Sequence, residues 1–565
     1  MIRFSDIEYR RPDLKKAAQE LTEVLERFKA AETFEEADRL FLELDSSMSD
    51  VNTMCTVASI RNSVDLSDPF YAGEMKYINA EMAMLMPLNK MINHAILNTP
   101  FKDALKAKYG EQIFRLLDAG ERVIAEENIP LSIEESELCD EYKLLTASCS
   151  CEFMGEKNNF YGLLKHMEST DRNERKAAFE EWARLYEDIS DRLDGIYDKL
   201  IKNRVKQAEN LGFGSFTEMA YLKRRRFDYK PGDTARFRGY VEKYVTPFIN
   251  DMFEKQRKLL GIDKLHWYDE KLSFPEGNPT PHGSTQDMID ATLKMYEELS
   301  PETGEFFRFM SRYELFDLET KPNKRMGGYT TSLDSYKAPF IFSNFNGTAA
   351  DVDVLTHEAG HAFEAYMAYR TQVLSDYTYS TSEINEIHSM TMEHFTYPWM
   401  DLFFGKDAGR RVFTHLLDAL GSIPYLVSVD EFQHRVYEKP DMTHEERRAC
   451  WKEIENRYMP WRDYDGNEFL MSGGFWMQKQ HIFIYPFYYV DYALAQTCAF
   501  MLYKRMCEDS KKAWHDYLEL CKRGGSLGYF ETLRSADLGI PFDEKVFSDT
   551  IGFIKDKILE LEKEC

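Results

Sequence analysis

The chain has 565 residues, 43% of them hydrophobic, and a formal net charge of −26, enough apolar material for a large core without cross-links. So acidic a surface argues against nucleic acid and anionic membranes as partners, since both need clustered positive charge. The apolar runs fall short of the ~18 to 20 residues of a membrane span and the N-terminus opens Met-Ile-Arg-Phe-Ser-Asp, so the expected compartment is the cytoplasm.

From Pro12 to about Asp45 the apolar residues Leu14, Ala17, Leu21, Val24, Leu25 and Phe28 recur at helical spacing, with Glu and Lys on the other face. The same texture runs through 74–97, 101–124 and 171–204, broken at Asp65-Leu-Ser-Asp-Pro69 and Asn98-Thr-Pro100. These spacings predict a mainly α protein, with residues 1–200 as a helical N-terminal domain and 201–565 as the domain that carries the chemistry. The basic run Lys223-Arg224-Arg225-Arg226 reads as a solvated helix face or as partners for nearby acids. Between Leu260 and Ser284, Trp267, Tyr268 and a cluster of Pro and Gly predict a loop excursion. Met326-Gly-Gly-Tyr-Thr-Thr331 and Ala338 to Asn346 then predict a small antiparallel hairpin, after which helices resume to the end. Nine scattered cysteines without a CxxC pair read as reduced thiols.

Leu355-Thr-His-Glu-Ala-Gly-His-Ala-Phe363 contains H-E-x-x-H among apolar flanks that suit a mostly buried helix. Histidines at i and i+4 project from one face, so His357 and His361 can share a Zn²⁺ with Glu358 beside its open position. Thirteen histidines in a chain of this length would give this pattern by chance roughly 0.03 times. Gly360, inside the helix, costs ~1 kcal/mol against alanine and predicts a close approach to that backbone.

A catalytic zinc needs a third protein ligand, and the extended HExxHxxGxxH pattern is absent because 364 and 367 are Glu and Met. The next acidic segment, Ser380 to His394, opens with a capping-box pattern from Ser380 to Glu383 and then reads as a helix able to return alongside the first. Glu383, Glu386 and Glu393 fall near one face of it, and spacing alone favours Glu386 only modestly. Glu393 is a candidate to orient a ligating imidazole, and Glu364 is ambiguous. Farther on, Pro486 fits the first turn of a helix to about Cys507, with Tyr485, Tyr489 and Tyr492 on one face. Tyrosines near a zinc can donate to the oxyanion of a tetrahedral intermediate, and His481 can do the same or hold a substrate carbonyl.

With these pieces in view, the chain resembles the thimet oligopeptidase and oligoendopeptidase F family of zinc metallopeptidases, and most closely its bacterial oligoendopeptidase F branch. The resemblance rests on Thr356 to Phe363, Glu386, Arg204-Val-Lys-Gln-Ala-Glu-Asn-Leu-Gly-Phe213, Gly327-Gly-Tyr329, and His481 through Tyr492. It implies a two-lobed helical body with a deep channel that admits short peptides, one zinc at its base, and Glu386 as third ligand. It also implies that Tyr489 and Tyr492 are the catalytic tyrosines, with His481 and Tyr485 lining the site. A strand edge that pairs with extended substrate is assigned on the same basis to Phe340 to Asn346, including Phe340, Asn344 and Asn346. Position 364 is Glu where many relatives carry His.

The reading is therefore a metalloendopeptidase in which Glu358 is general base and then general acid. Two rivals remain: a metallocarboxypeptidase on a related helical zinc scaffold, and a non-catalytic helical scaffold protein.

Overall fold

The apolar stripe at the start of the chain becomes two helices, Leu14–Lys29 and Phe34–Ser46, in a computed structural model that describes residues 2–565. Asp13 caps the first by accepting from the Lys16 amide, and Thr33 caps the second by accepting from that of Glu36, satisfying amides with no partner inside the helix. All six stripe residues, Leu14 to Phe28, are buried. Met86–Leu97, Lys102–Tyr109 and Glu111–Arg122 close over Leu21, Leu25, Leu40 and Phe41 to form a small core of their own. Tyr377, from far along the chain, enters that core; its hydroxyl accepts from the Ile113 amide at 3.0 Å and donates to the Tyr109 carbonyl at 2.7 Å.

The larger core is organised along a 39-residue helix, Arg172–Asn210, and the boundary drawn at 200 falls inside it. Arg204 on this helix is fully buried, because its guanidinium is spent on three acceptors: Glu135 at 2.7 Å, the Tyr437 hydroxyl at 3.1 Å and the Phe483 carbonyl. A buried charge is tolerated only when paired and bonded in this way. The excursion after Leu259 is irregular apart from one turn at Trp267–Asp269, where buried Asp269 accepts from Arg172 and Arg175.

The hairpin forms from Tyr329–Leu333 and Ala338–Phe345, with Tyr329 opposite Phe342 and Leu333 opposite Ala338. A third strand, Phe316–Glu319, pairs in parallel with the other side of Ala338–Phe345. The sheet is thus mixed, not the purely antiparallel element expected, and Ala338–Phe345 is its centre. Four residues reading Phe-Asp-Leu-Glu carry too little β signal to be seen beforehand. A second, two-stranded hairpin joins Cys151–Phe153 to Glu156–Asn158.

Three helices meet beneath the sheet. The motif helix, Ala349–Thr371, is met by a return helix, Ser382–Phe395, and that in turn packs on the tyrosine helix, Tyr489–Glu508. Gly360 is where the first two cross: a Cβ there would lie 2.6 Å from Ser389 Cα and 2.7 Å from the His388 carbonyl oxygen. Only glycine permits that approach. The stretch Tyr397–Glu438 is long and apolar enough by composition to cross a membrane. It is packed against the core through Leu416, Leu420, Ile423, Val427 and Phe432, and it carries the buried Asp430–Arg238 ion pair at 2.5 Å.

Candidate metal centre and active site

The motif helix turns the imidazoles of His357 and His361 the same way, their centroids 5.0 Å apart and the rings nearly perpendicular. Glu386 comes from the return helix, and its Oε2 lies 3.4 Å from His357 Nε2 and 3.5 Å from His361 Nε2. Bonds of ~2.0 to 2.1 Å in a tetrahedron put neighbouring ligand atoms about 3.3 Å apart, so this donor set fits a single zinc-sized ion. One donor atom from each of the three residues lies within 4.8 Å of the others, the only such cluster among the described residues. Burial would raise the Glu386 carboxyl, but His361 and His357 hold it well below the usual carboxylate range.

The neighbouring acids separate by position. Glu393, two helical turns beyond Glu386, accepts from His357 Nδ1 at 2.5 Å, which leaves Nε2 free to face a metal. Glu383 points elsewhere: it is buried without a hydrogen-bond partner, and burial, then Asp491, pushes it up to about 7. The expected capping box does not form either, since the helix starts at Ser382 with Thr381 at its cap and no side-chain cap bond. Glu364 is likewise buried, and desolvation raises its carboxyl well above the ordinary value. It is not part of the donor cluster formed by His357, His361 and Glu386.

Glu358 faces the edge of the sheet. The Thr330 hydroxyl donates to its Oε2 at 2.7 Å, while its Oε1 lies 3.6 Å from where a Cβ on Gly328 would stand. One oxygen is therefore fixed and the other faces a backbone without a side chain. This corrects the choice of substrate strand. Ala338–Phe345 has both edges paired, Phe340 is 1% exposed against Phe4, and Asn344 donates to the Arg325 and Gly327 carbonyls at 2.7 and 2.9 Å. Asn346 accepts from Thr348 in the turn leading into the motif helix. Tyr329–Leu333 is the edge beside Glu358.

The aromatic segment also departs from expectation. The helix begins at Tyr489, and Pro486 lies in a turn before it, where Phe487 adopts a left-handed φ of 62°. That conformation costs roughly 1 to 2 kcal/mol for a residue with a Cβ. It is held because the Phe487 amide donates to Gln433 at 2.9 Å and its carbonyl accepts from buried Arg226. The reset brings Tyr488 to Glu386 Oε1, to which its hydroxyl donates at 2.6 Å. Tyr492, one turn on, lies 5.0 Å from the Tyr488 ring, and burial followed by the Glu386 charge raises its hydroxyl well above the ordinary value. Tyr489 instead packs against His481 at 4.7 Å and Tyr425 at 6.0 Å, with Lys479 5.1 Å above its ring. The tyrosines nearest Glu386 are thus Tyr488 and Tyr492. Their i, i+4 spacing was the available signal for Tyr488.

His481 stands among Tyr485, Tyr488, Tyr489 and Tyr492 at 4.7 to 6.4 Å, and Tyr485 is about half exposed. Burial, with Lys479 and Arg224 nearby, pushes the His481 imidazole down to about 3, so it is neutral. The basic run resolves into partners for acids: Arg224 and Arg226 clasp Asp491 of the tyrosine helix at 2.9 and 2.6 Å, and Arg224 lies 4.6 Å over the Tyr488 ring. A cleft of about 780 Å³ lies in the N-terminal helices around Met86, Met91 and His94, and no residue of this site lines it.

Comparison with known proteins identifies the family. Residues 4–123 match the peptidase M3 N-terminal domain and residues 165–549 match peptidase family M3. A solved structure of PZ peptidase A with an inhibitor is 42% identical, superposes with a TM-score of 0.95 and covers 99% of both chains. Oligopeptidase PepF of Bacillus subtilis is 22% identical over 97% of this chain and 84% of its own. The oligoendopeptidase F homolog of Borreliella burgdorferi is 23% identical over 78% of this chain and 77% of its own. The chain belongs to peptidase family M3, in its oligoendopeptidase F branch, and it is a metalloendopeptidase.

Proposed function

We propose that the protein hydrolyses internal bonds of short oligopeptides at a single zinc held by His357, His361 and Glu386, with Glu358 as general base and acid. The observation that carries this reading is the convergence of Glu386 Oε2 on both imidazole Nε2 atoms at 3.4 and 3.5 Å. What such a site gains from bound zinc is Lewis acidity, which polarises a peptide carbonyl and makes water easier to deprotonate.

The chain's own groups supply the rest. Glu358, with Oε2 occupied by Thr330, takes the proton of the attacking water on Oε1 and passes it to the leaving amine nitrogen. Tyr492 donates its hydroxyl to the developing oxyanion, where a fixed donor is worth ~10²-fold or more. Tyr488 holds Glu386 in place. His481, neutral, offers a hydrogen bond to a substrate carbonyl. Tyr329–Leu333 presents an open strand edge for an extended peptide. Glu358 and Glu386 are 9% and 4% exposed, so a short extended chain reaches them far more readily than a segment of a folded protein. The acidic surface suits a role on peptides and not on nucleic acid or anionic membrane.

The test is product mapping on short, end-blocked, internally quenched peptides. Cleavage at an internal bond is expected; hydrolysis only of peptides with a free C-terminus would favour a carboxypeptidase instead.

A further inference from the structure

Behind the metal site a largely buried line of polar contacts runs on from Glu393. Glu393, which accepts from His357 with Oε1, has its Oε2 2.9 Å from His415 Nε2. His415 Nδ1 is 2.7 Å from the Tyr397 hydroxyl, which is 2.9 Å from His394 Nδ1. His394 Nε2 lies 2.8 Å from Gln496 Nε2. The groups come from the return helix, the turn Tyr397–Trp399, the helix Ala408–Glu438 and the tyrosine helix. His394 is fully buried and Gln496 is 4% exposed.

The chemistry of the ends fixes the direction of every bond. A carboxylate only accepts, so His415 must carry its proton on Nε2 and accept on Nδ1 from the Tyr397 hydroxyl. Tyr397 has then used its hydrogen and must accept from His394 Nδ1–H, which leaves His394 Nε2 to accept. The Gln496 amide nitrogen, a donor only, meets that demand. With neutral imidazoles, one orientation satisfies all the groups, and it ends by presenting a lone pair on His357 Nε2 to the metal position.

We propose that His415 and Tyr397 are positioning residues that act through Glu393 to hold His357 in its metal-binding tautomer and orientation. This rests on the reading of His357 as a zinc ligand. It reaches farther than the contact between Glu393 and the imidazole, because an isolated carboxylate can rotate away while one gripped on both oxygens cannot. Asp353, which is paired to Arg411, also approaches His415, at 3.9 Å. It does not replace the donor that Glu393 receives from His415.

The experiment measures Zn²⁺ affinity of the full chain by competition with a chromophoric chelator, alongside thermal stability of each apo protein. Wild type is compared with Tyr397→Phe, which removes one hydroxyl, His415→Leu, which removes the donor, and His415→Gln, whose amide can still donate to Glu393. The expected result is a ~10 to 100-fold weaker affinity in His415→Leu, a loss in the same direction in Tyr397→Phe, and recovery in His415→Gln to within a few-fold of wild type. Unchanged affinity in His415→Leu or Tyr397→Phe overturns the proposal, as does a His415→Gln variant no better than His415→Leu. A wild type that binds no Zn²⁺ would instead overturn the metal reading itself.

Discussion

Leu25 in the N-terminal helical cluster and Glu386 beneath the motif helix are both almost entirely withdrawn from water, at 0% and 4% exposure, and they stay there for opposite reasons. Leu25 is buried because apolar area leaves water, worth ~1.5 to 3 kcal/mol for such a side chain. Glu386 is buried at a cost that its partners offset: two imidazoles, the Tyr488 hydroxyl and the Ser389 hydroxyl at 3.0 Å. The first region depends on volume and tolerates a similar shape. The second depends on the direction of individual bonds.

The largest expected effect separates the two regions. Leu25→Ala should cost ~2 to 5 kcal/mol of stability through the cavity it leaves, yet folded protein should retain wild-type metal content. Thermal unfolding together with bound zinc per chain checks this, and a loss of zinc from folded protein would mean the regions are coupled. In the site the pattern reverses. Tyr492→Phe should lower kcat by ~10²-fold with little change in KM or melting temperature, whereas Tyr489→Phe, whose ring faces Tyr425 and Lys479, should lower it far less. Equal losses in the two variants would show that both hydroxyls reach the reacting carbonyl.

Gly360→Ala sits where packing and direction meet. Its Cβ would press on the Ser389 backbone, so the helices must part, at ~1 to 3 kcal/mol. Because the return helix also carries Glu386, metal affinity should fall in step with stability; a stable variant with wild-type affinity would contradict the crossing described.

The smallest effect per group is with pH. Burial above all holds His388 and His394 down to about 3 and His434 to about 4. Above the ordinary value near 6.5 these groups are neutral in both folded and unfolded chains. As pH falls below that value the unfolded chain takes up protons that the folded one refuses, down to about 3 to 4. Stability should therefore drop on mild acidification, each histidine contributing at most about 1.4 kcal/mol per pH unit. Melting temperatures from about pH 7.5 to about pH 5 test the sign; a flat profile would mean that these imidazoles reach water.

The same contrast explains what could be read beforehand. In the N-terminal helices, burial is written as a stripe, and Leu14 through Phe28 were legible one by one. The motif helix is buried on several faces and shows no comparable stripe, so His357, His361 and Glu358 were legible only through the fixed spacing that metal chemistry imposes. The close approach at Gly360 followed from the cost of a helical glycine. Spacing could not separate Glu386 from Glu383, because both fall near one face and the choice depends on how the return helix is rotated; the resemblance to known peptidases favoured Glu386. Tyr488 was missed because the left-handed turn at Phe487 changes the helix start, and that turn is fixed by Gln433 and Arg226, remote in sequence. The central position of Ala338–Phe345 was hidden for the same reason, since Phe316–Glu319 pairs directly with it although a hairpin strand lies between them in sequence.

The most direct test of the account compares wild type with Glu358→Gln on an internally quenched, end-blocked peptide, with bound metal quantified in both. The account predicts that both proteins hold one zinc, that wild type cuts an internal bond, and that the variant loses ~10³-fold or more in kcat, since the amide can neither take nor return the proton. A Glu358→Gln protein that keeps its zinc and cuts at the wild-type rate would contradict it.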